Sequence, residues 1–139
     1  MDRSIARRLI EGLWQAPQTA LGGAIGLART GRLPNLQRDP EGRDELVFPM
    51  PEGASPQAMG QVMFLPPNTS DTDLAHERVH AEQSRRYGPG YIPMNLLAGL
   101  LAGRAGDLEH AFEDEAYLRT EPPGSQELSD RLSMKKAVR

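Results

Sequence analysis

Residues 72–87 read Thr-Asp-Leu-Ala-His-Glu-Arg-Val-His-Ala-Glu-Gln-Ser-Arg-Arg-Tyr, and no other stretch of the chain limits its fold as tightly. Just before it, residues 68–72 supply a run of side chains suited to a helix N-cap, and Asp71 and Asp73 favour the positive end of a helix dipole. Just after it, Gly88, Pro89 and Gly90 stop a helix, glycine because it tolerates a left-handed backbone and proline because it cannot continue. The boundaries predict a helix of about four turns. On that helix His76 and His80 share a face one turn apart, so two imidazoles can converge on one ion, and Gln83 continues the face. Glu77 is offset by one residue. Its carboxylate can lean over an ion held by the histidines without binding it.

Such an ion needs more than two ligands, and the composition limits where the others come from. The chain has no cysteine, so a thiolate site is impossible and the ligands must be histidines and carboxylates. The next metal-competent side chains lie on a second polar helix, expected at about residues 107–119 and ended by Pro122, Pro123 and Gly124. Leu108, Phe112 and Ala116 mark its inward side at spacings of four. Glu113 adjoins that side, with the small Ala116 leaving room for the metal helix, and is the preferred third ligand. His110 and Glu109 are the alternatives, one turn back on the same face. Asp114 reads as an exposed helix charge.

At 139 residues the chain is long enough for one modest core. The fold class expected is α+β, mostly helical, with a short β-hairpin or small sheet before the metal helix. Three divisions follow: an N-terminal helical arm and connector over 1–43, a core domain over 44–120, and a mobile tail over 121–139. In the arm, Ile5, Leu9, Leu13 and Trp14 recur at helical spacing among arginines, and Pro17 interrupts that helix or opens another. Leu21, Ile25 and Ala28 form one face of the following apolar segment, and Gly22 and Gly26 let another helix approach closely. Residues 31–43, broken by Pro34 and Pro40, read as connector. Strands are expected at 45–48 and 61–65, with a loop over 49–60 between them. The second of these runs, apolar on both faces, is placed to form the lip of a cleft or a plain core strand. Residues 87–93 read as a rigid, proline-rich turn, and 94–102 as a short helix buried all round or facing lipid.

The formal charge of −3 argues against nucleic acid as a partner, since phosphate neutralisation needs a concentrated basic surface. Residues 1–43 nevertheless carry seven Arg against four acidic side chains, whereas 44–71 hold four acidic side chains and no Lys or Arg. Peripheral membrane or protein contact through the N-terminal helices is therefore an expectation. The uncharged stretch 14–28 falls short of the ~20 residues a bilayer span needs, and Glu11, Gln15 and Gln18 weaken a signal-peptide reading. A cytoplasmic or membrane-peripheral location is favoured, and the oligomeric state is open.

The pattern His76-Glu77-Arg78-Val79-His80 is the H-E-x-x-H signature of zinc metallopeptidases, two metal ligands plus a general base. With Gln83, the Gly88-Pro89-Gly90-Tyr91-Ile92-Pro93 turn and Phe112-Glu113-Asp114-Glu115-Ala116-Tyr117, residues 61–117 resemble small, largely uncharacterised bacterial zincin-like proteins. The resemblance implies a minimal zincin-like domain with one Zn2+ per chain, held by His76, His80 and Glu113. It implies a hydrolase acting on a peptide or protein substrate, with Glu77 as general base, and it lacks the substrate-binding subdomain of thermolysin. Tyr91 and His110 are the candidates for stabilising an oxyanion, and Gln83 for supporting the ligands. The competing expectation is a non-catalytic, degenerate zincin-like binding or scaffold protein that keeps the metal only to join two helices.

Overall fold

The computed structural model of the chain describes residues 3–94, 97, 107–122 and 124–125. Its elements run α1 (Arg3–Thr30), β1 (Asn35–Arg38), β2 (Asp44–Pro49), β3 (Gln57–Met59), β4 (Val62–Leu65), α2 (Asp71–Tyr87), a 3-10 turn (Gly88–Gly90) and α3 (Asp107–Thr120). The fold is α+β and mostly helical, with a small mixed sheet preceding α2. The apolar run 94–102 and the tail beyond residue 125 lie largely outside the described residues, as do the side chains of Glu109 and His110.

The sheet has the order β1-β2-β4-β3. β1 and β2 form an antiparallel hairpin, β2 and β4 run parallel, and β3 returns antiparallel to β4. The two strands expected from sequence are thus neighbours, but parallel ones rather than a hairpin. The residues expected to be connector and loop supply the other two strands, β1 and β3. Since β1 pairs residues 35–38 with 44–47, the sheet crosses the expected boundary at residue 43. The tight turn between them closes on Asp39, whose carboxylate accepts from the backbone N–H of Glu41 and of Arg43 at 2.8 Å each and from Arg43 Nε at 2.7 Å.

Against this sheet lies α1, and here the sequence expectation needs correcting. The helix is one continuous element through Pro17, not a pair. Proline inside a helix loses one backbone bond and costs about 3 kcal/mol, which packing along the rest of the helix offsets. The inward face is also not the one hydropathy suggests, although Ile25 does pack against the core. Gln15, Gln18, Gly22 and Gly26 are buried, while Ile5, Leu9, Ile10, Leu13, Trp14 and Leu21 are exposed. Glycine decides this. A methyl at Gly26 would overlap the Phe48 ring, and one at Gly22 would sit 3.0 Å from Val62 Cβ, so the bare backbone lets β2 and β4 come up to the helix. The element that approaches these glycines is the sheet, not another helix. Phe48, Val62 and Phe64 form the core there, the two rings stacked with centroids 5.9 Å apart. No helix among the described residues is long and apolar enough to cross a membrane.

α2 begins as its sequence dictates. Ser70 is the N-cap, its hydroxyl accepting from the Asp73 N–H at 3.0 Å. At the other end Gly88 takes φ +55°, a conformation that disfavours a side chain, and Trp14 packs where its Cβ would be. The Gln18 amide of α1 donates to the Gly88 carbonyl, which fixes α1 to the end of α2. Arg78 anchors the middle, donating to both oxygens of the buried Glu45 on β2 at 2.9 and 3.0 Å. After the 3-10 turn, residues 91–94 are helical, so the stretch expected as an irregular turn is instead two short helical pieces. α3 then packs along α2, burying Phe112 and Ala116 as expected.

Candidate metal centre

The packing of α3 on α2 brings together side chains that are 33 to 37 positions apart in sequence. His76 Nε2 lies 3.3 Å from Glu113 Oε2, and His80 Nε2 lies 3.3 Å from Glu113 Oε1. The two Nε2 atoms are 3.1 Å apart. A tetrahedral zinc ion with bonds of about 2.0–2.1 Å separates its ligand atoms by about 3.3–3.4 Å. The donor triangle therefore has nearly the edge lengths such an ion requires. His76, His80 and Glu113 are also the one group of this kind found among the described residues. Glu113 is the preferred residue from the sequence, and it stands in place. The chemistry of the set, two imidazoles and a carboxylate, suits zinc and other divalent transition ions.

Gln83 fixes the orientation of one ligand. Fully buried on α2, it donates from Nε2 to the Phe112 carbonyl at 2.9 Å and to Glu115 Oε2 at 3.2 Å. A carbonyl can only accept, so the amide nitrogen must face α3 and Oε1 must face His80. His80 Nδ1, 2.9 Å from that oxygen, is consequently the protonated nitrogen. In the neutral imidazole Nε2 then carries the lone pair, directed at the centre, the arrangement by which metal-binding histidines are usually held. The Tyr91 hydroxyl lies 3.5 Å from the same Gln83 oxygen, and its ring packs edge-on to Phe112 at 5.6 Å. Tyr91 is buried, with its hydroxyl directed at this network.

Charge follows from these contacts. Burial by itself would raise the Glu113 carboxyl, but hydrogen bonds from His76 and His80 outweigh it and hold the group well below the usual carboxylate range. Burial also lowers His80, and there too the bonds to Glu113 and Gln83 win, leaving it raised. Glu77 differs. Burial pushes its carboxyl up, with Glu113 and Asp73 adding to that against the pull of His80 and His76. No described residue donates a hydrogen bond to it. It lines a cavity of about 870 Å3 together with all three metal-competent side chains.

That cavity is bounded by β3, α2, α3 and Tyr91. The edge strand at its rim is β3, while the 61–65 run, read as either cleft lip or core strand, contributes Phe64 to the lining. β4 is interior, between β2 and β3, and serves as core. Strand β3 carries little local signal, because Gln57-Ala58-Met59 is three residues long in a Pro/Gly/Ser-rich stretch. A second residue it did not single out is Tyr117, whose ring meets that of His76 at 4.4 Å between centroids. Its signal was its place one turn beyond Glu113, on the same helix face. Asp114, expected to be exposed, is half-buried.

The chain matches no protein-family profile, no curated protein and no solved structure.

Proposed function

We propose that this chain is a zinc-dependent metallopeptidase in which His76, His80 and Glu113 hold the ion and Glu77 is the general base. One observation carries the reading. Three potential ligand atoms lie at coordination spacing beside the buried Glu77 carboxylate, and all four side chains open on one large cavity. A zinc ion bound there would supply Lewis acidity, lowering the pKa of a water from ~15.7 toward ~7 and polarising a peptide carbonyl. Glu77 is the residue that would serve as base toward such a water and as acid toward the departing amine. Its burial suits the task, because a carboxyl raised toward working pH is the stronger base and the readier acid. Gln83 holds His80 in the tautomer that binds metal, and Tyr117 packs against His76 to limit its rotation.

An extended peptide suits the free edge of β3, where the backbone N–H and C=O groups that do not pair with β4 offer strand pairing beside the centre. Tyr91 lines the same cavity and is a candidate for an oxyanion donor. The resemblance to small zincin-like proteins supports the same assignment. The test is to measure bound zinc in the purified protein, then peptide-library cleavage with and without chelator. Glu77→Gln should keep the zinc and lose about 10²–10⁴-fold in turnover, the usual contribution of a general base. Cleavage surviving that change would remove Glu77 from the mechanism.

A second reading is a scaffold or binding protein that uses the metal only to join α2 and α3. The observation favouring it is the outward apolar face of α1, which suits contact with a membrane surface or another protein. Stoichiometric zinc without cleavage of any peptide would decide for it.

A further inference from the structure

We propose that a second cavity, sharing no residue with the metal centre, is a binding site for a phosphate group. It has a volume of about 570 Å3 and lies between the N-terminal half of α1, the β1–β2 turn and the end of α2. Four arginines line it. Two of them have carboxylate partners: Arg7 pairs with Glu11 at 2.6 Å, and Arg43 with Asp39 at 2.7 Å and with Glu41. The remaining acid, Asp44, is paired with Arg38 at 3.1 Å. Arg8 and Arg85 have no ion-pair partner among the described residues, and Arg85 Nε is sealed from solvent with no acceptor.

The floor of this cavity is as unusual as its walls. Gln15 is 1% exposed, and neither its amide nitrogen nor its oxygen has a hydrogen-bond partner among the described residues. Buried amides are almost always paired, because leaving one unpaired forfeits its hydration without return. Arginine has no way to ease burial by losing its proton. The sealed Arg85 Nε beside an unpaired amide therefore calls for an anion, and the exposed Arg8 adds positive charge at the cavity's rim. The amide narrows the class further, since Gln15 Nε2 needs an acceptor and Gln15 Oε1 needs a donor. Hydrogen phosphate meets every demand, with acceptor oxygens for Arg8, Arg85 and Nε2 and one P–OH for Oε1. Sulfate and simple carboxylates are without that hydroxyl at neutral pH.

The site is independent of the metal reading and is tested separately from it. Calorimetric titration of the full chain with sodium phosphate, at fixed ionic strength and both with and without zinc, should give saturable binding in each case. Phosphate should raise the Tm, as any ligand that binds only the folded state does. Sulfate and acetate should bind at least about tenfold more weakly, the size of one lost hydrogen bond to a charged group. Arg85→Gln and Gln15→Leu should each weaken phosphate by about tenfold or more. Gln15→Leu guards against misfolding, since replacing an unpaired buried amide with an apolar side chain does not cost a bond. Glycerol phosphate, whose dianion above neutral pH also lacks a P–OH, should bind more weakly than phosphate, as sulfate does, and its binding as tightly would count against the role of the hydroxyl. Sulfate matching phosphate, full phosphate affinity in a folded Gln15→Leu protein, or no binding at all would overturn the proposal.

Discussion

Replacing Gln83 should separate metal affinity from stability, because its two amide atoms serve different neighbours. In Gln83→Leu all four bonds are lost: those accepted from His80 at 2.9 Å and, weakly, from Tyr91 at 3.5 Å, and those donated to Phe112 at 2.9 Å and Glu115 at 3.2 Å. Each is worth about 1 kcal/mol net, and leucine recovers part through its apolar surface. Metal-free stability should then fall by about 1–2 kcal/mol, or roughly 5 °C in Tm. Without its Nδ1 acceptor, His80 is free to rotate and to protonate Nε2, so zinc affinity should fall about 10–100-fold. Gln83→Glu keeps an oxygen for His80 but sets a second oxygen where the N–H was, facing the Phe112 carbonyl and Glu115. Its metal-free Tm should drop further than leucine's, while zinc affinity stays within about threefold of the parent, because the acceptor that orders His80 remains. Competition against a chromophoric chelator gives the affinities and thermal melting of metal-free protein gives the stabilities. If leucine binds zinc as tightly as glutamine does, or if both variants lose zinc alike, Gln83 does not orient His80.

The pair joining α2 to the sheet gives a stability test: Arg78→Met leaves Glu45, 7% exposed at its side chain, without its guanidinium. That should cost about 3 kcal/mol, read as a lower midpoint in urea, and Arg78→Met/Glu45→Leu should recover part of it. On α1, Gly26→Ala should destabilise, because the methyl meets the Phe48 ring, whereas Gly23→Ala, with nothing within 4 Å, should stabilise by up to about 1 kcal/mol. Thermal melts of the two proteins moving in the same direction would refute the packing of α1 on the sheet. Asp39 controls a pH effect. Burial alone would raise its carboxyl, but the N–H groups of Arg43 and Glu41 and the Arg43 guanidinium hold it below its ordinary value. A lowered folded value means stability that is present above the unfolded pKa, near 4, and lost as pH falls through the lower folded one. Asp39→Asn should therefore lower the Tm at pH 7 and flatten the acid limb of the stability profile; an unchanged limb would show the turn carries no such linkage.

Within the metal helix, what the chain announces is local. The Ser70 cap, the Gly88 terminus and the one-turn interval from His76 to His80 depend only on neighbours a few residues away, so sequence alone fixes them. Glu113 was legible as well, through its place beside Phe112 and Ala116, although nothing local could set it against Glu109 or His110. Only the packing of α3 on α2 brings its carboxylate to 3.3 Å from both imidazoles. Gln83 was visible as a member of the histidine face, but the direction of its amide is decided by a carbonyl on a distant helix.

The misreadings share one cause. Hydropathy assigns the bulky side of α1 to the interior, yet Gly22 and Gly26 turn the helix over, because close approach of Val62 and Phe48 needs the absence of side chains rather than their presence. Strand β3 has too few residues to show a period, and its pairing with β4 is a long-range bargain struck by the sheet. Periodicity, caps and breakers are written into consecutive residues and so specify which segments are helical and which side chains share a face. Which faces meet depends on shape matched across distant segments, and that is decided only when the whole chain packs.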